Sequence, residues 1–225
     1  MKVILWDVDG TLLDFHAAEK QALKTSMETF GLPSPDDEMI ARYSAINKKY
    51  WEALERGEMT KQQILEGRFC EFFRTEGLGC PDAAAFNVNY QMELGETICF
   101  VDNAYTLLSE LKGQVKQYAV TNGTYVAQSR KLKKSGLDQI FDGLFISDLI
   151  GAEKPSSEFF DYVFQNIGEY EKEEILIVGD SLTSDIQGGN NAGIRSCWYT
   201  PKGGHLPDYL QADIITNLWQ IKSFL

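Results

Sequence analysis

Short apolar runs recur along the chain with helical patterns between them, and this alternation limits the possible folds more than any other feature. The runs lie at residues 2–6, 118–121, 144–147, 175–178 and 196–199, with a plausible sixth at 213–216. Between them, apolar residues recur at helical spacing, as in residues 104–111 and 159–167. Strands that alternate with helices predict a parallel sheet that is covered by helices on both faces.

The stretch from residue 14 to residue 98 breaks this alternation. It has no convincing strand pattern, but it carries helix signals such as a Thr60–Gln63 capping box and a Ser34 N-cap followed by Pro35. We therefore predict a helical cap domain at 14–98 and a sheet domain formed by 1–13 plus 99–225. The predicted fold class is α/β, with a Rossmann-like parallel sheet core and a helical cap inserted after the first strand.

The balance of charge excludes several classes of partner. The 225 residues include 33 acidic and 21 basic side chains, which gives a formal net charge of −12. Binding to a nucleic-acid polymer or to an acidic membrane surface needs clustered Lys and Arg, so we expect neither as a partner.

The N-terminal apolar run is too short for an export signal, and the four cysteines lack C-x-x-C spacing. We therefore expect a cytoplasmic protein with free, mostly buried thiols.

Four polar motifs follow the predicted strands, where open α/β sheets place their ligand sites. They are Asp7-Val8-Asp9-Gly10-Thr11, Thr121-Asn122-Gly123, Lys154-Pro155 and Gly179-Asp180-Ser181-Leu182-Thr183-Ser184-Asp185. Taken one at a time, each fits an ordinary turn or a helix cap equally well. Taken together, they bring four carboxylates to one edge of the sheet with a single lysine nearby.

Such a group of carboxylates needs a cation. Two like charges at 4 Å repel by about 4 kcal/mol at an effective dielectric constant of 20. A hard divalent cation relieves this repulsion, and oxygen-only ligands favour Mg²⁺ over zinc. With Mg²⁺ and Lys154 present and one carboxyl protonated as a general acid, the formal charge of the site is zero. The Thr121 hydroxyl and backbone N–H groups would then hold a phosphate, which predicts phosphoryl transfer to an aspartate.

The four motifs, in this order, resemble those of the haloacid dehalogenase-like (HAD) hydrolase superfamily. The resemblance extends over the whole chain and includes a helical cap of the C1 type after the first motif. Residues 7–15, 180–189, 191–194 and 197–199 are similar to the house-cleaning pyrimidine 5′-nucleotidase branch of the superfamily. That branch often has a second acidic residue where this chain has Gly10.

The resemblance implies a catalytic role for four residues. Asp7 would be the nucleophile that becomes an aspartyl-phosphate. Asp9 would protonate the leaving alcohol and then accept a proton from the hydrolytic water. Thr121, together with the backbone N–H of Asn122, would bind phosphate oxygens, and Lys154 would stabilise charge on the nucleophile and the phosphoryl group.

The resemblance also implies a metal site. Mg²⁺ would bind the carboxylates of Asp7 and Asp180 and the backbone carbonyl of Asp9. Asp185 would act through a metal-bound water or by orienting Lys154. Separately, Phe15 lies near the hinge into the cap, which makes it a candidate contact for the leaving group.

Several functions remain compatible with these residues. The main expectation is a Mg²⁺-dependent phosphomonoesterase acting on nucleoside 5′-monophosphates of the pyrimidine type, as a monomer or weak homodimer with a small phosphorylated metabolite as its partner. A phosphosugar phosphatase or mutase would use the same core. A 2-haloacid dehalogenase needs neither a leaving-group acid nor a metal, so Asp9 and Asp180 argue against it. A non-enzymatic binding protein is disfavoured by the intact set of motif residues.

Overall fold

The computed structural model describes residues 1–79 and 81–225. Within these ranges the six strands are β1 (Val3–Trp6), β2 (Lys116–Thr121), β3 (Gly143–Ile146), β4 (Ile175–Gly179), β5 (Arg195–Tyr199) and β6 (Asp213–Ile215). They form one parallel sheet in the order β3-β2-β1-β4-β5-β6. Each predicted apolar run is a strand, with ends that differ by two residues or fewer. The predicted α/β fold class is confirmed.

Helices occupy most of the described chain between these strands. Before β2 they are α1 (Phe15–Thr29), α2 (Asp37–Glu55), α3 (Lys61–Thr75), α4 (Ala83–Leu94) and α5 (Ala104–Leu111). After β2 they are α6 (Tyr125–Ser135), α7 (Ser147–Ile150), α8 (Ser157–Ile167) and α9 (Gln187–Ala192). A π-helical turn covers Leu182–Ile186, and 3₁₀ turns cover Leu137–Gln139, Lys172–Glu174 and Leu218–Phe224.

The central strand β1 contributes side chains to both faces of the sheet, because successive residues of a strand point to opposite sides. Ile4 and Trp6 pack in one hydrophobic cluster with the apolar face of α5. Val3 and Leu5 pack in a second cluster with Phe159 and Phe160 of α8. All four β1 residues are fully buried, which explains why this strand appears in the sequence as an unbroken apolar run.

Helices α1–α4 pack around a hydrophobic cluster of their own. Phe69 lies at its centre, with its ring centroid 5.4 Å from that of Tyr43 and 4.8 Å from that of Phe86. The chain enters and leaves this region at adjacent points, since the Asp14 N–H donates to the Cys99 carbonyl over 2.8 Å. The division into a cap at 14–98 and a sheet domain remains a prediction, and this packing agrees with it.

Local details confirm one helix prediction and correct another. The Thr60–Gln63 capping box is present at the start of α3. Helix α2, in contrast, has Asp36 as its N-cap instead of Ser34, because the Asp36 carboxylate accepts the Met39 N–H.

The expected burial of the thiols is wrong for Cys70 and Cys99, which are exposed, whereas Cys197 is buried. The fourth cysteine, Cys80, lies outside the described residues. Among those residues, no helix is both long and apolar enough to cross a membrane.

Candidate active site

The candidate site lies where the carboxyl ends of three neighbouring strands meet. Strand β1 pairs with β2 on one side and β4 on the other, and Trp6 is in register with Ala119 and Val178. Asp7 directly follows Trp6, and its N–H donates to the Val178 carbonyl over 2.9 Å. The sheet order therefore places the motif that follows β1 between the motif at the end of β2 and the motif at the end of β4.

Lys154 is a buried cation of this site, with 1% of its surface exposed. Its Nζ donates to Asp7 Oδ1 over 2.8 Å, to Asp185 Oδ1 over 2.6 Å and to the Val120 carbonyl over 2.8 Å. All three ammonium hydrogens thus have an acceptor. The arrangement fixes the side chain between two carboxylates that lie 178 residues apart in the sequence.

The side chain of Asn122 positions the backbone of Lys154. Its Nδ2 donates to the Lys154 carbonyl and its Oδ1 accepts the Lys154 N–H, both over 2.8 Å. The family resemblance implies a role only for the backbone N–H of Asn122, so this role of its side chain is an additional finding. The adjacent Thr121 is buried, and its hydroxyl oxygen accepts the Gly123 N–H over 3.0 Å.

Burial and neighbouring charges shift the pKa values of the ionisable groups in the site. Burial, reinforced by the charge of Asp185, raises the pKa of Asp7 to about 7, although Lys154 acts in the opposite direction. Burial also raises the pKa of Asp185, again against the effect of Lys154. Burial alone would lower the pKa of Lys154, but the charges of Asp185 and Asp7 raise it above its usual range.

Asp180 completes an acidic cluster with Asp7 and Asp185. One oxygen from each of the three carboxylates lies within 4.8 Å of the others. Asp180 is an exposed residue, although neighbouring protein atoms partly desolvate its carboxylate. This desolvation and the charges of Asp7 and Asp185 raise the pKa of Asp180. Three carboxylates and one ammonium leave an excess of two negative charges, which suits a divalent cation with oxygen ligands.

Two residues of the first motif shape this cluster in ways that the sequence did not reveal. The buried Thr11 hydroxyl donates to Asp7 Oδ2 over 3.0 Å and lies 3.4 Å from Asp180 Oδ1. Gly10 has a φ of +89°, and a Cβ at this position would lie 2.5 Å from Asp180 Oδ2. Glycine is therefore required here both by the backbone conformation and by the approach of the Asp180 carboxylate.

Asp185 has both carboxylate oxygens engaged by the protein. Oδ1 accepts from Lys154, and Oδ2 accepts the Ser181 N–H over 3.1 Å. The Asp185 side chain is fully buried. This placement agrees with the predicted role of Asp185 in orienting Lys154, and that role remains a prediction.

The Asp9 carboxylate is held by two residues of α6 that the sequence analysis missed. Gln128 Nε2 donates to Asp9 Oδ2 over 2.6 Å, and the ammonium group of Lys131 forms an ion pair with Asp9 Oδ1. Phe15 is half-buried at the start of α1, with its ring centroid 5.9 Å from Lys131 Nζ. The i, i+3 spacing of Gln128 and Lys131 on one helix face was the available signal, but it is also typical of solvated faces.

Helices α2, α3 and α4 contribute polar groups around the site. The Thr183 hydroxyl donates to the Glu55 carboxylate at the end of α2, and burial raises the pKa of Glu55. Lys61 Nζ lies 2.5 Å from an oxygen of Asp148, which follows β3. Gln91 of α4 accepts the Thr124 hydroxyl hydrogen over 2.7 Å. None of these pairs could have been found from the sequence, because each joins distant segments without a motif.

Comparison with known proteins identifies the family. The family model of haloacid dehalogenase-like hydrolases matches residues 1–193, which contain all four motifs. The chain belongs to the haloacid dehalogenase-like hydrolase family. The predicted superfamily and the prediction of a hydrolytic enzyme are therefore confirmed.

Relatives within the HAD-like family extend over nearly the whole chain. The HAD-hydrolase YfnB of Bacillus subtilis is 40% identical over 200 residues, which are 89% of this chain and 84% of that protein. The pyrimidine 5′-nucleotidase PynA of Streptococcus pneumoniae is 36% identical over 225 residues, 100% of this chain and 93% of PynA. The pyrimidine 5′-nucleotidase YjjG of Escherichia coli is 32% identical over 198 residues, 87% of this chain and 84% of YjjG.

Solved structures of this family share the fold. A crystal structure of Bacillus subtilis YfnB bound to magnesium has a TM-score of 0.91 and 37% identity, and covers 100% of this chain and 98% of that one. The L-2-haloacid dehalogenase of Xanthobacter autotrophicus has a TM-score of 0.78 at 16% identity, covering 100% of this chain and 98% of that one. The second comparison concerns the fold alone.

Proposed function

We propose that this protein is a Mg²⁺-dependent phosphomonoesterase that forms an aspartyl-phosphate on Asp7 and acts on pyrimidine nucleoside 5′-monophosphates. One observation carries the proposal. Lys154 joins Asp7 to the buried Asp185, and Asp180 lies in the same acidic cluster without an ion pair of its own in the described part of the chain. The pKa of all three carboxyl groups is raised, and clustered carboxyl groups perturbed in this way are typical of functional sites.

Asp7 is suited to nucleophilic attack on phosphorus. Lys154 and Thr11 contact its two oxygens, so the carboxylate is held in one orientation. In the proposed step, an oxygen of Asp7 forms a bond to phosphorus while the bond to the leaving oxygen breaks. The electron pair of the broken bond goes to that oxygen, which takes a proton from the Asp9 carboxyl group. Water then hydrolyses the aspartyl-phosphate and returns a proton to Asp9.

The acidic cluster fits Mg²⁺. The carboxylates of Asp7 and Asp180 would hold the ion, together with the Asp9 carbonyl that the family resemblance implies. When bound, Mg²⁺ neutralises the cluster and polarises the phosphoryl oxygens. The magnesium-bound structure of YfnB supports this assignment, since that protein has the same fold at 37% identity.

The choice of substrate rests on the relatives. PynA and YjjG are pyrimidine 5′-nucleotidases, and they match 100% and 87% of this chain. We accordingly propose UMP-like and CMP-like nucleotides as the preferred substrate class. A cytoplasmic monomer or weak homodimer acting on a small metabolite is the corresponding physiological form.

Phosphate release from a substrate panel tests the proposal. The purified protein is assayed with Mg²⁺ on nucleoside 5′-monophosphates, sugar phosphates and p-nitrophenyl phosphate, with Asp7→Asn as the inactive control. We expect the highest kcat/KM for the pyrimidine nucleotides, and trapping of a hydroxylamine-sensitive phosphoprotein after acid quenching in the wild type only. Preferred hydrolysis of a sugar phosphate would replace the nucleotidase assignment, and no release from any substrate would reject the phosphatase.

A further inference from the structure

Helix α6 presents two side chains to the Asp9 carboxylate. Gln128 and Lys131 are three residues apart, so they lie on the same face of the helix. Gln128 Nε2 donates to Asp9 Oδ2 over 2.6 Å, and Lys131 Nζ contacts Asp9 Oδ1. Each oxygen of the carboxylate thus has its own donor.

Both donors are built into the interior of the protein. Lys131 is 1% exposed and Gln128 is fully buried, although each carries a polar group that is costly to bury. Asp9 is the acid that pairs with Lys131, and the face of the Phe15 ring covers the ammonium group at 5.9 Å. The two donors therefore have little freedom to adopt another position.

Gly123 makes room for this arrangement. Any Cβ at position 123 would overlap the carboxamide of Gln128. Gly123 belongs to the loop that directly follows Thr121, so Gln128 is packed against the backbone of the predicted phosphate-binding loop. The Gln128 carboxamide is thus clamped between this loop and Asp9.

We propose that Gln128 and Lys131 are positioning residues that hold the Asp9 carboxylate in the orientation from which it exchanges its proton with the leaving oxygen. This inference rests on the proposed phosphatase reaction. When the bond from phosphorus to the leaving oxygen breaks, the proton of Asp9 moves to that oxygen and leaves a carboxylate. Gln128 and Lys131 then supply the donors for its two oxygens, and they keep it in place until the hydrolytic water returns a proton.

An ordinary structural ion pair is the competing explanation, and the two differ in what they predict. A structural pair that only ties α6 to the first loop would affect all substrates equally when broken. A positioning role predicts damage that grows as the leaving group becomes harder to expel, since poor leaving groups depend most on proton donation. The dependence of rate on leaving group therefore separates the two explanations.

The experiment compares Lys131→Met with Lys133→Met, which removes an exposed ammonium group from the same helix. The measured quantity is kcat/KM, because it reports the first phosphoryl transfer and not the later hydrolysis of the intermediate. The substrates are p-nitrophenyl phosphate, whose leaving phenolate is stable, phenyl phosphate, and a nucleoside 5′-monophosphate with a poor alkoxide leaving group. For Lys131→Met we expect a loss at least about tenfold larger on the nucleotide than on p-nitrophenyl phosphate, with phenyl phosphate between them.

The controls distinguish a positioning effect from misfolding of the variant and from failure of the proposed phosphatase function. Lys133→Met should match the wild type on all three substrates. Gln128→Met removes the second donor at similar volume, and it decides the question by the same criterion if Lys131→Met does not fold. Equal losses on all substrates, or no loss on any, would overturn the inference. Absence of activity in the wild type would instead reject the phosphatase proposal itself.

Discussion

At the scale of single residues, the candidate site depends on a few side chains whose neighbours leave them little choice. Lys154 is enclosed by Asp7, Asp185 and a carbonyl group, and Gly10 is enclosed by the carboxylate of Asp180. Replacing Lys154 changes the net charge of the acidic cluster, and replacing Gly10 displaces the Asp180 carboxylate. Two predictions follow from these two positions.

Removal of the Lys154 ammonium should destabilise the protein. Lys154→Met leaves Asp7 and Asp185 buried without their cation, and losing one partner of a buried pair typically costs about 3 kcal/mol or more. We expect this loss in the free energy of unfolding measured with urea. Lys116→Met serves as the control, because it breaks an exposed pair with Asp142 and should have little effect. Equal stability of Lys154→Met and the wild type would contradict the assigned contacts.

A methyl group at position 10 should weaken binding of Mg²⁺. Gly10→Ala combines a positive φ with a Cβ that would lie 2.5 Å from Asp180 Oδ2. Gly113→Ala is a matched control, since Gly113 has a φ of +82° and open space around its Cβ position. Both variants should lose about 1 kcal/mol or more of stability from backbone strain. Isothermal titration calorimetry with Mg²⁺ should show weaker binding for Gly10→Ala and unchanged binding for Gly113→Ala.

At the scale of secondary structure, α6 links helix α4 to the loops of the sheet. Its N-cap residue, Thr124, follows the Thr121–Gly123 loop and contacts α4 through Gln91. One turn further along the helix, Gln128 and Lys131 reach Asp9 after β1. The start of this helix therefore contacts both the predicted phosphate-binding loop and the proposed acid.

Thr124 should stabilise α6 through its hydroxyl. That oxygen accepts the Ala127 N–H over 3.3 Å and donates its hydrogen to Gln91 over 2.7 Å. Thr124→Ala removes both interactions, and loss of a cap alone costs about 1 kcal/mol. Thr124→Ser keeps the hydroxyl and should retain most of the stability in thermal unfolding. If the serine variant were as unstable as the alanine variant, the methyl group would be the stabilising element instead.

At the scale of the whole molecule, acidic charge is concentrated where a cation is expected. The chain carries a net charge of −12, and three of its carboxylates converge on one site. Polar pairs such as Glu55–Thr183 and Lys61–Asp148 connect α2 and α3 to the segments that follow the strands. Binding of a divalent cation should accordingly change the stability of the protein as a whole.

The stabilisation by Mg²⁺ should increase with pH. The pKa of Asp7 is raised from 3.8 to about 7, so the folded state binds this proton more tightly than the unfolded state does. In the absence of metal, the resulting contribution to stability is present at low pH and is lost as the pH rises through about 7. Mg²⁺ requires the carboxylate form, so its binding becomes more favourable over the same range.

Thermal unfolding at about pH 5 and about pH 8, with Mg²⁺ or with a chelator, measures this effect. The wild type should gain more in Tm from Mg²⁺ at the higher pH. Asp180→Asn, which removes a proposed ligand, should gain little at either pH. An equal gain at both pH values in the wild type would be incompatible with a titrating metal site.

Much of the fold and part of the candidate site could be predicted because both follow from local patterns. The apolar runs locate the strands, and Asp7, Thr121 and Asp180 can be found because each lies at or just beyond the end of such a run. Where a helix begins is less certain from sequence: Ser34 and Asp36 are both good N-caps, and only the packed structure selects Asp36.

The sequence by itself determined the sheet, the order of the four motifs and the acidic excess, because periodicity and strand ends are properties of neighbouring residues. Only the tertiary structure decided which groups meet. Lys154 contacts Asp7 across 147 residues, and Lys131 contacts Asp9 across 122. These contacts depend on the order of strands and the packing of α6, and no local pattern encodes either one. A lysine on a helix therefore resembles any solvated lysine until the fold buries it against a carboxylate.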